Sequence, residues 1–500
     1  MQGSSARHRP APRDPAASGR DGTIFAALAA FAAFAFTIIV PTMLRDGDTG
    51  WHLAAGAWIV AHGTVPTTDP FSFSAAGQPW VAHEWLSEVA MYASYRAAGW
   101  SGLIVLVGAA VALVFGLVAR EIRRWLSVPA SIVALLLLAT GLLPSLLARP
   151  HILVLPILAA WTIALIHTRE RDRSPPLAMA VLMLVWANAH GSYIFGLVLA
   201  GVFALEALVS ADRSHRLAVI KSWGVFGALA LSAAAMTPAG VHGLLFPFYL
   251  NGLKSLGRIN EWQPSAFGTF SGFEAILLVG LFVLLAKPIR IPPVRLLLVL
   301  GILHLTLQHG RHEIILVIVG ILVLAKPLGL AWTRQTPGRP ARLENADPIV
   351  ARRERFKIIA LVAALGTILA AYRLAVPVVR KDDAGIPVTA LAHVPPALRS
   401  QRVFNDYGFG GSLIFDGIRP YIDGRADMYG DAFTLDYFAI ADGDRARWRA
   451  AQARWRFRWT ILPPRSPLIP VLDHDAGWRR IYADDTAVIH RAVIHQAVAR

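Results

Sequence analysis

Long apolar runs alternate with short polar ones along most of the chain. A helix needs roughly 20 apolar residues to cross a bilayer, and somewhat fewer where flanking side chains reach back to the surface. Such runs occupy about residues 23–43, 101–119, 128–147, 151–167, 177–190, 193–210, 223–237, 272–286, 295–308, 312–326 and 358–376. They predict about 11 transmembrane helices, the boundaries around Arg149 and His190 being the least sharp. Two stretches break the pattern: residues 44–100 form a long polar loop, and residues 377–500 lose the apolar runs altogether.

Within the loop, Trp51 to His62 and His83 to Tyr95 have helical spacing but are short and polar-flanked. They predict two helices lying along the membrane surface, the second with Glu84 and Glu88 on one face. The connection between them is Pro-punctuated, and Asp69-Pro70 marks a turn. Tryptophans 51, 58, 80, 85 and 100 run through the loop, and Trp favours the bilayer–water interface. Towards the C-terminus, VFNDYGFGGSLIF and RPYIDGRADMYG read as short strands joined by Gly-containing turns. Leu435 to Trp455 reads as a helix, Thr460–Leu462 as a strand, and WRRIYADD with TAVIHR as a closing pair.

The expected fold class is therefore a mostly α, polytopic membrane protein with a small C-terminal α/β domain. Residues 1–22 are a polar, basic tail; 23–326 a transmembrane domain with the large loop 44–100; 327–357 a linker; 358–376 the last span; and 377–500 the α/β domain.

Composition agrees: 55% of the residues are hydrophobic and only 16% charged. A formal net charge of +16 would point a soluble chain towards nucleic acid. Here the basic residues sit in alternate loops, at Arg120, Arg123 and Arg124; Arg169, Arg171 and Arg173; Arg213, Arg216 and Lys221; Lys287, Arg290 and Arg295; and throughout 326–357. That is orientation information, so no nucleic-acid partner is expected. The positive-inside rule places these loops and the N-terminus in the cytoplasm, and eleven spans then carry the C-terminal domain to the other side of the membrane. The chain has no cysteine, which excludes disulfides and thiolate zinc sites.

The other set of loops holds the chemically suggestive residues. Asp46 and Asp48 are separated by one glycine, with His52 a turn further on. On a loop such carboxylates can converge on a sugar hydroxyl or, with His52, on a divalent ion such as Mg²⁺ or Mn²⁺. The rival reading spends Asp48 as the N-cap of the helix that follows. His83-Glu84 begins HEWLSE, which lacks the second histidine of a zinc-protease motif; a helix-start acid is its plainer reading. Arg149 interrupts two apolar runs, where it either holds a phosphate or snorkels to headgroups. His190, Arg258, Glu261 and Arg311 are further candidates in the same set of loops. Gly408, Gly410 and Gly411 precede a predicted strand, so no helix start is expected there to cradle phosphate. Asp423-Gly-Arg425-Ala-Asp427 reads first as a turn with its own ion pair.

A first span, a large outer loop with early aspartates and two surface helices, a many-helix domain and a small outer α/β domain together resemble the GT-C superfamily of integral-membrane glycosyltransferases. That superfamily includes protein mannosyltransferases, oligosaccharyltransferases and the lipid A aminoarabinose transferase. GDTGWHLAAGAWIVAHGTVPTTDPFSF, WVAHEWLSE, NDYGFGGSLIF and YIDGRADMYG look like bacterial membrane proteins of that type. The WWDYG motif of oligosaccharyltransferases is absent, and the long loop follows the first span rather than coming late, unlike O-antigen ligases. The resemblance implies a polyprenyl-phosphate-linked sugar donor, a glycan, lipid or protein acceptor, and a divalent metal in some relatives. It places the family's first-loop aspartate at Asp48 or Asp46. An acceptor hydroxyl needs a carboxylate to take its proton, with Asp48, Asp46 and Glu84 available. The leaving phosphate needs positive charge, which Arg149, Arg258, Arg311 and His190 could supply.

Two rivals stand beside this reading. A transporter or lipid flippase would place ionisable residues near the middle of the membrane in two matching halves. A non-catalytic assembly or binding protein would use its aspartates as caps.

Overall fold

In the computed structural model the described residues are 15–40, 42–333 and 348–493. The chain opens with α1 (Pro15–Ile39), and the polar loop holds α2 (Thr49–His62) and the start of α3 (Trp85–Ile122). Then follow α4 (Val128–Leu142), α5 (Pro150–Glu170), α6 (Ala180–Ala189), α7 (Tyr193–Ser210), α8 (Arg216–Ala235) and α9 (Gly240–Asn251). The bundle ends with α10 (Gly272–Ala286), α11 (Pro293–Gln308), α12 (Glu313–Thr333) and α13 (Pro348–Ala375). Among the described residues, eight helices are long and apolar enough to cross a membrane: α1, α3, α4, α5, α7, α8, α12 and α13. Three shorter apolar helices, covering α6, α10 and α11, occupy the positions expected for the other spans. The bundle core is closed by fully buried Trp161, Trp186, Phe203 and Phe226, while Leu136, Phe282 and Leu285 stay exposed, as lipid-facing side chains do.

Two boundaries differ from expectation. The surface helix at 83–95 and the span at 101–119 are one element, α3, bent where Ala98 and Gly99 leave helical geometry. Gly99 has φ 58°, which a residue with a Cβ rarely adopts, so the turn from surface to membrane is set by that glycine. Helix also reaches into the expected tail and linker: α1 starts at Pro15, α12 runs to Thr333 and α13 starts at Pro348. Residues 1–14 and 334–347 of those two segments lie outside the described residues.

The C-terminal domain holds α14 (Val388–Ala392), α15 (Pro396–Arg399), β1 (Val403–Asn405), α16 (Gly410–Phe415), α17 (Ala426–Ala441), α18 (Arg445–Trp455), β2 (Trp459–Leu462), α19 (Leu468–Asp473), β3 (Trp478–Ala483) and β4 (Val488–Ala492). The sheet order is β1-β2-β4-β3, with β1 parallel to β2 and β4 antiparallel to both its neighbours. Phe404, Tyr421, Tyr437, Trp448 and Phe457 fill its core.

Two expected strands are not strands. GGSLIF is helical, as α16. Its glycines serve close approach rather than a turn: a Cβ on Gly411 would overlap the Gly47 carbonyl, and one on Gly410 would overlap the Ile422 carbonyl. In RPYIDGRADMYG the side chain of Asn405 does the work of a neighbouring strand. It accepts from the Tyr421 amide and donates to the Ile422 carbonyl, both at 2.8 Å. The expected helix 435–455 is divided at Gly443, φ 99°, after which Asp444 caps α18 by accepting from Ala446 and Arg447.

This domain is bound into the long loop. Gly47 packs on Gly408 and Gly385, and Gly50 packs on Gly411. Phe73 from the loop donates its amide to Pro420 and packs against Tyr421 and Phe457. Arg425, 1% exposed, donates to Asp423 at 2.7 Å and to loop residue Asp69 at 2.8 Å. Its guanidinium lies over the Trp80 ring at 4.8 Å. The ion pair expected within the 423–427 turn is present, and it extends to a third partner 356 positions away in sequence.

Candidate active site

Arg149 is the hub. It precedes α5 in extended backbone, where Pro150 disfavours helix for the residue before it. Its guanidinium donates to both Asp46 oxygens, from Nε at 2.5 Å and Nη2 at 2.7 Å. Nη2 also lies 2.9 Å from Asp48 Oδ2, and Nη1 donates to Glu261 at 3.0 Å. Arg311 faces the other oxygen of Glu261 at 3.6 Å and stacks over Trp262 at 4.2 Å. Carboxylates from the first loop and from the 252–271 segment thus meet one arginine from between α4 and α5.

Asp48 is not a helix cap: it stands at the N-cap position of α2 in helical geometry and makes no side-chain capping bond. Its carboxylate instead lies against Gly424 of the C-terminal domain, where a Cβ would overlap it. The two aspartates differ electrically. Burial opposes ionisation of Asp46, but the bidentate Arg149 outweighs it and holds this carboxyl below the usual range. Burial pushes Asp48 up to about 7, Arg149 pulls against it, and the Asp46 and Glu261 carboxylates push the same way as burial. Arg380, just beyond α13, donates from Nε to the Leu44 carbonyl at 3.2 Å and also bonds the Asp46 carbonyl, fixing the backbone that presents both aspartates.

Beside this group lies a second one. His52 Nδ1 is 3.1 Å from Glu88 and 3.8 Å from Glu84. The other Glu84 oxygen meets His190 at 3.1 Å and His83 at 3.7 Å. Burial raises Glu84 to about 7 and keeps His52 and His190 well below their ordinary value, hence neutral. One ligand atom from each of His52, Glu84 and Glu88 lies within 4.8 Å of the others. Glu88 Oε2 is buried and has no hydrogen-bond partner among the described residues, which is costly unless something else occupies it. Neutral imidazole with two carboxylates suits a divalent ion of the Mn²⁺ or Zn²⁺ kind.

The site residues named from sequence are thus divided. Asp46, Asp48, Arg149 and Arg311 come together, and Glu84 and His190 form the neighbouring group. The expected metal set does not form: Asp46 and Asp48 are engaged by Arg149, and His52 groups with Glu84 and Glu88 instead. Arg258 stands apart, 47% exposed and paired with Asp442 at 2.6 Å beside Phe438. Sequence reasoning passed over Arg380, Gly424 and Tyr407, whose hydroxyl donates to the Gly424 carbonyl at 3.1 Å. A lone arginine after a span and a tyrosine in a glycine-rich stretch carry no signal of their own.

No protein-family model matches the chain, and no curated protein matches it by sequence. Solved structures do resemble it. The oligosaccharyltransferase AglB from Archaeoglobus fulgidus, in complex with an inhibitory peptide and a dolichol-phosphate, superposes with a TM-score of 0.52 at 12% identity, over 88% of this chain and 69% of that one. The apo form of the A. fulgidus oligosaccharyltransferase gives 0.51 at 11% identity, over 89% and 69%. ArnT from Cupriavidus metallidurans, bound to undecaprenyl phosphate, gives 0.47 at 15% identity, over 95% and 98%. Over most of its length the chain shares the fold of the archaeal oligosaccharyltransferase. At such identities likeness speaks for the fold; the chemistry must come from the site.

Proposed function

We propose that this protein is a membrane glycosyltransferase. It moves a sugar from a polyprenyl-phosphate-linked donor to an acceptor hydroxyl on the periplasmic face of a bacterial inner membrane. The observation that carries this reading is the pairing of a half-buried arginine hub with a carboxyl, Asp48, poised at about 7. The bound donor's phosphate displaces Glu261 from Arg149 and Arg311, which then stabilise the charge that grows as the anomeric bond breaks. Asp48 takes the proton of the attacking hydroxyl; its pKa near working pH suits a general base. Asp46, held ionised, keeps Arg149 in place, and Arg258 has no part.

The buried Glu88 Oε2, without a hydrogen-bond partner among the described residues, supports a metal. A divalent ion held by His52, Glu84 and Glu88 would add positive charge to the site. The test is binding of farnesyl phosphate, and of uncharged farnesol, to the purified full chain. Arg311→Gln should weaken farnesyl phosphate at least tenfold, about 1.4 kcal/mol, and leave farnesol unchanged. Equal loss for both ligands, or none, would contradict the phosphate role.

A further inference from the structure

A cavity of about 360 Å³ opens between the α9 helix, the loop at Trp80 and the start of α17. Its walls include Trp80, Phe246 and Tyr249, and its polar lining is Asp427 and His242. The Tyr249 hydroxyl donates to the Asp427 carbonyl at 3.0 Å, which ties α9 to α17 and fixes that ring. The Asp427 carboxyl bonds its own backbone amide and interacts electrostatically with His83 and Arg425, and no lysine or arginine lines the cavity.

The cavity adjoins both halves of the site through neighbouring residues. The 423–428 segment that gives it Asp427 and Met428 also carries Gly424, which packs on the Asp48 carboxylate. On the other side the Phe246 ring lies 4.6 Å from the His83 ring, and His83 stands 3.7 Å from Glu84.

The geometry points to this cleft as the acceptor site, and to the acceptor's bound part as an uncharged or amino sugar. Aromatic walls suit the C–H faces of a sugar ring, and a carboxylate accepts from its hydroxyls. The volume is at the small end of ligand pockets, ~300–1,000 Å³, so it takes a ring or two rather than a folded chain. A lining with an acid and no fixed cation disfavours anionic sugars. The inference rests on the transferase reading for its meaning, but not for its test.

The test uses saturation-transfer NMR on the purified full chain, with methyl mannoside, methyl glucoside and glucosamine as probes and glucuronate as the anionic control. Met428→Trp fills the cleft from the C-terminal domain, and Leu245→Trp fills it from α9 should the first variant fail to fold. At least one neutral or amino sugar should show saturation transfer in the wild type, at least fivefold stronger than glucuronate. Filling the cleft should abolish that signal and leave farnesyl phosphate affinity within twofold. No sugar signal in the wild type, or a signal that survives both substitutions, would overturn the assignment. So would loss of farnesyl phosphate binding on filling the cleft, which would make it the donor's entrance. Failure of the wild type to bind farnesyl phosphate would count against the transferase reading instead, leaving the sugar signals to judge the cleft by themselves.

Discussion

At the scale of single residues, the account turns on two aspartates one glycine apart that behave oppositely. Asp46 is held ionised by two bonds from Arg149, and Asp48 shares only one guanidinium nitrogen. Asp48→Asn should therefore lower transfer by ~10²–10⁴ without lowering Tm. The sign of the pH dependence follows from its pKa of about 7. A base must be unprotonated, so the rate should rise with pH through about 7 and fall tenfold per unit below it. A profile flat from pH 5 to 8 would remove Asp48 from that role. For the metal, Glu88→Gln should weaken Mn²⁺ or Zn²⁺ binding at least tenfold, read by calorimetry on the full chain. Unchanged affinity would place the ion elsewhere.

Part of this was legible in the sequence. The cost of an arginine between two apolar runs marked Arg149, and the one-glycine spacing at the end of a span marked Asp46 and Asp48, whereas Glu84 entered only through the family resemblance. Their grouping was not legible. Whether His52 faces Asp48 or Glu88 depends on how α2 lies against α3, and nothing in the spacing of either helix fixes that.

At the scale of elements, glycines set the close contact between loop and domain. Gly47, Gly50 and Gly411 meet backbone to backbone, so a methyl group at Gly411 would push on the Gly47 carbonyl, which cannot rotate away. Gly411→Ala should cost ~1–3 kcal/mol and expose the 377–493 domain to protease. Wild-type Tm and protease resistance would show the contact to be loose. Here sequence patterning misread glycine-rich stretches as strand turns. Local rules weigh a glycine by its own φ/ψ freedom, whereas these are required by a neighbouring backbone some 360 positions away. Periodicity did find β2, β3 and β4, and the bend at Gly99 fell between two segments already separated by pattern.

At the scale of the molecule, the polar residues of the site collect at one end of the bundle and on the domain that covers it, which suits an enzyme at a membrane surface better than a transporter with its site at mid-depth. The absence of cysteine allows a clean topology test. A cysteine placed at Asp485 should label from the periplasmic side, and one at Asp212 only after the membrane is opened. If α10 and α11 both cross, Arg290→Cys should behave like Asp212→Cys and opposite to Gly268→Cys. Labelling of positions 290 and 268 from the same side would take those two helices out of the count. Alternating apolar runs made the helices readable from sequence, but helices of 15 and 16 residues lie at the lower edge of what spans a bilayer, so pattern alone leaves them undecided.

A structure of the full chain with undecaprenyl phosphate would test whether Arg149 and its carboxylates form a phosphate-sugar site. The phosphate should lie within hydrogen-bonding distance of Arg149 or Arg311, beside Asp48, with Glu261 displaced. Lipid bound elsewhere, with Arg149 still closed on Asp46, Asp48 and Glu261, would contradict that role.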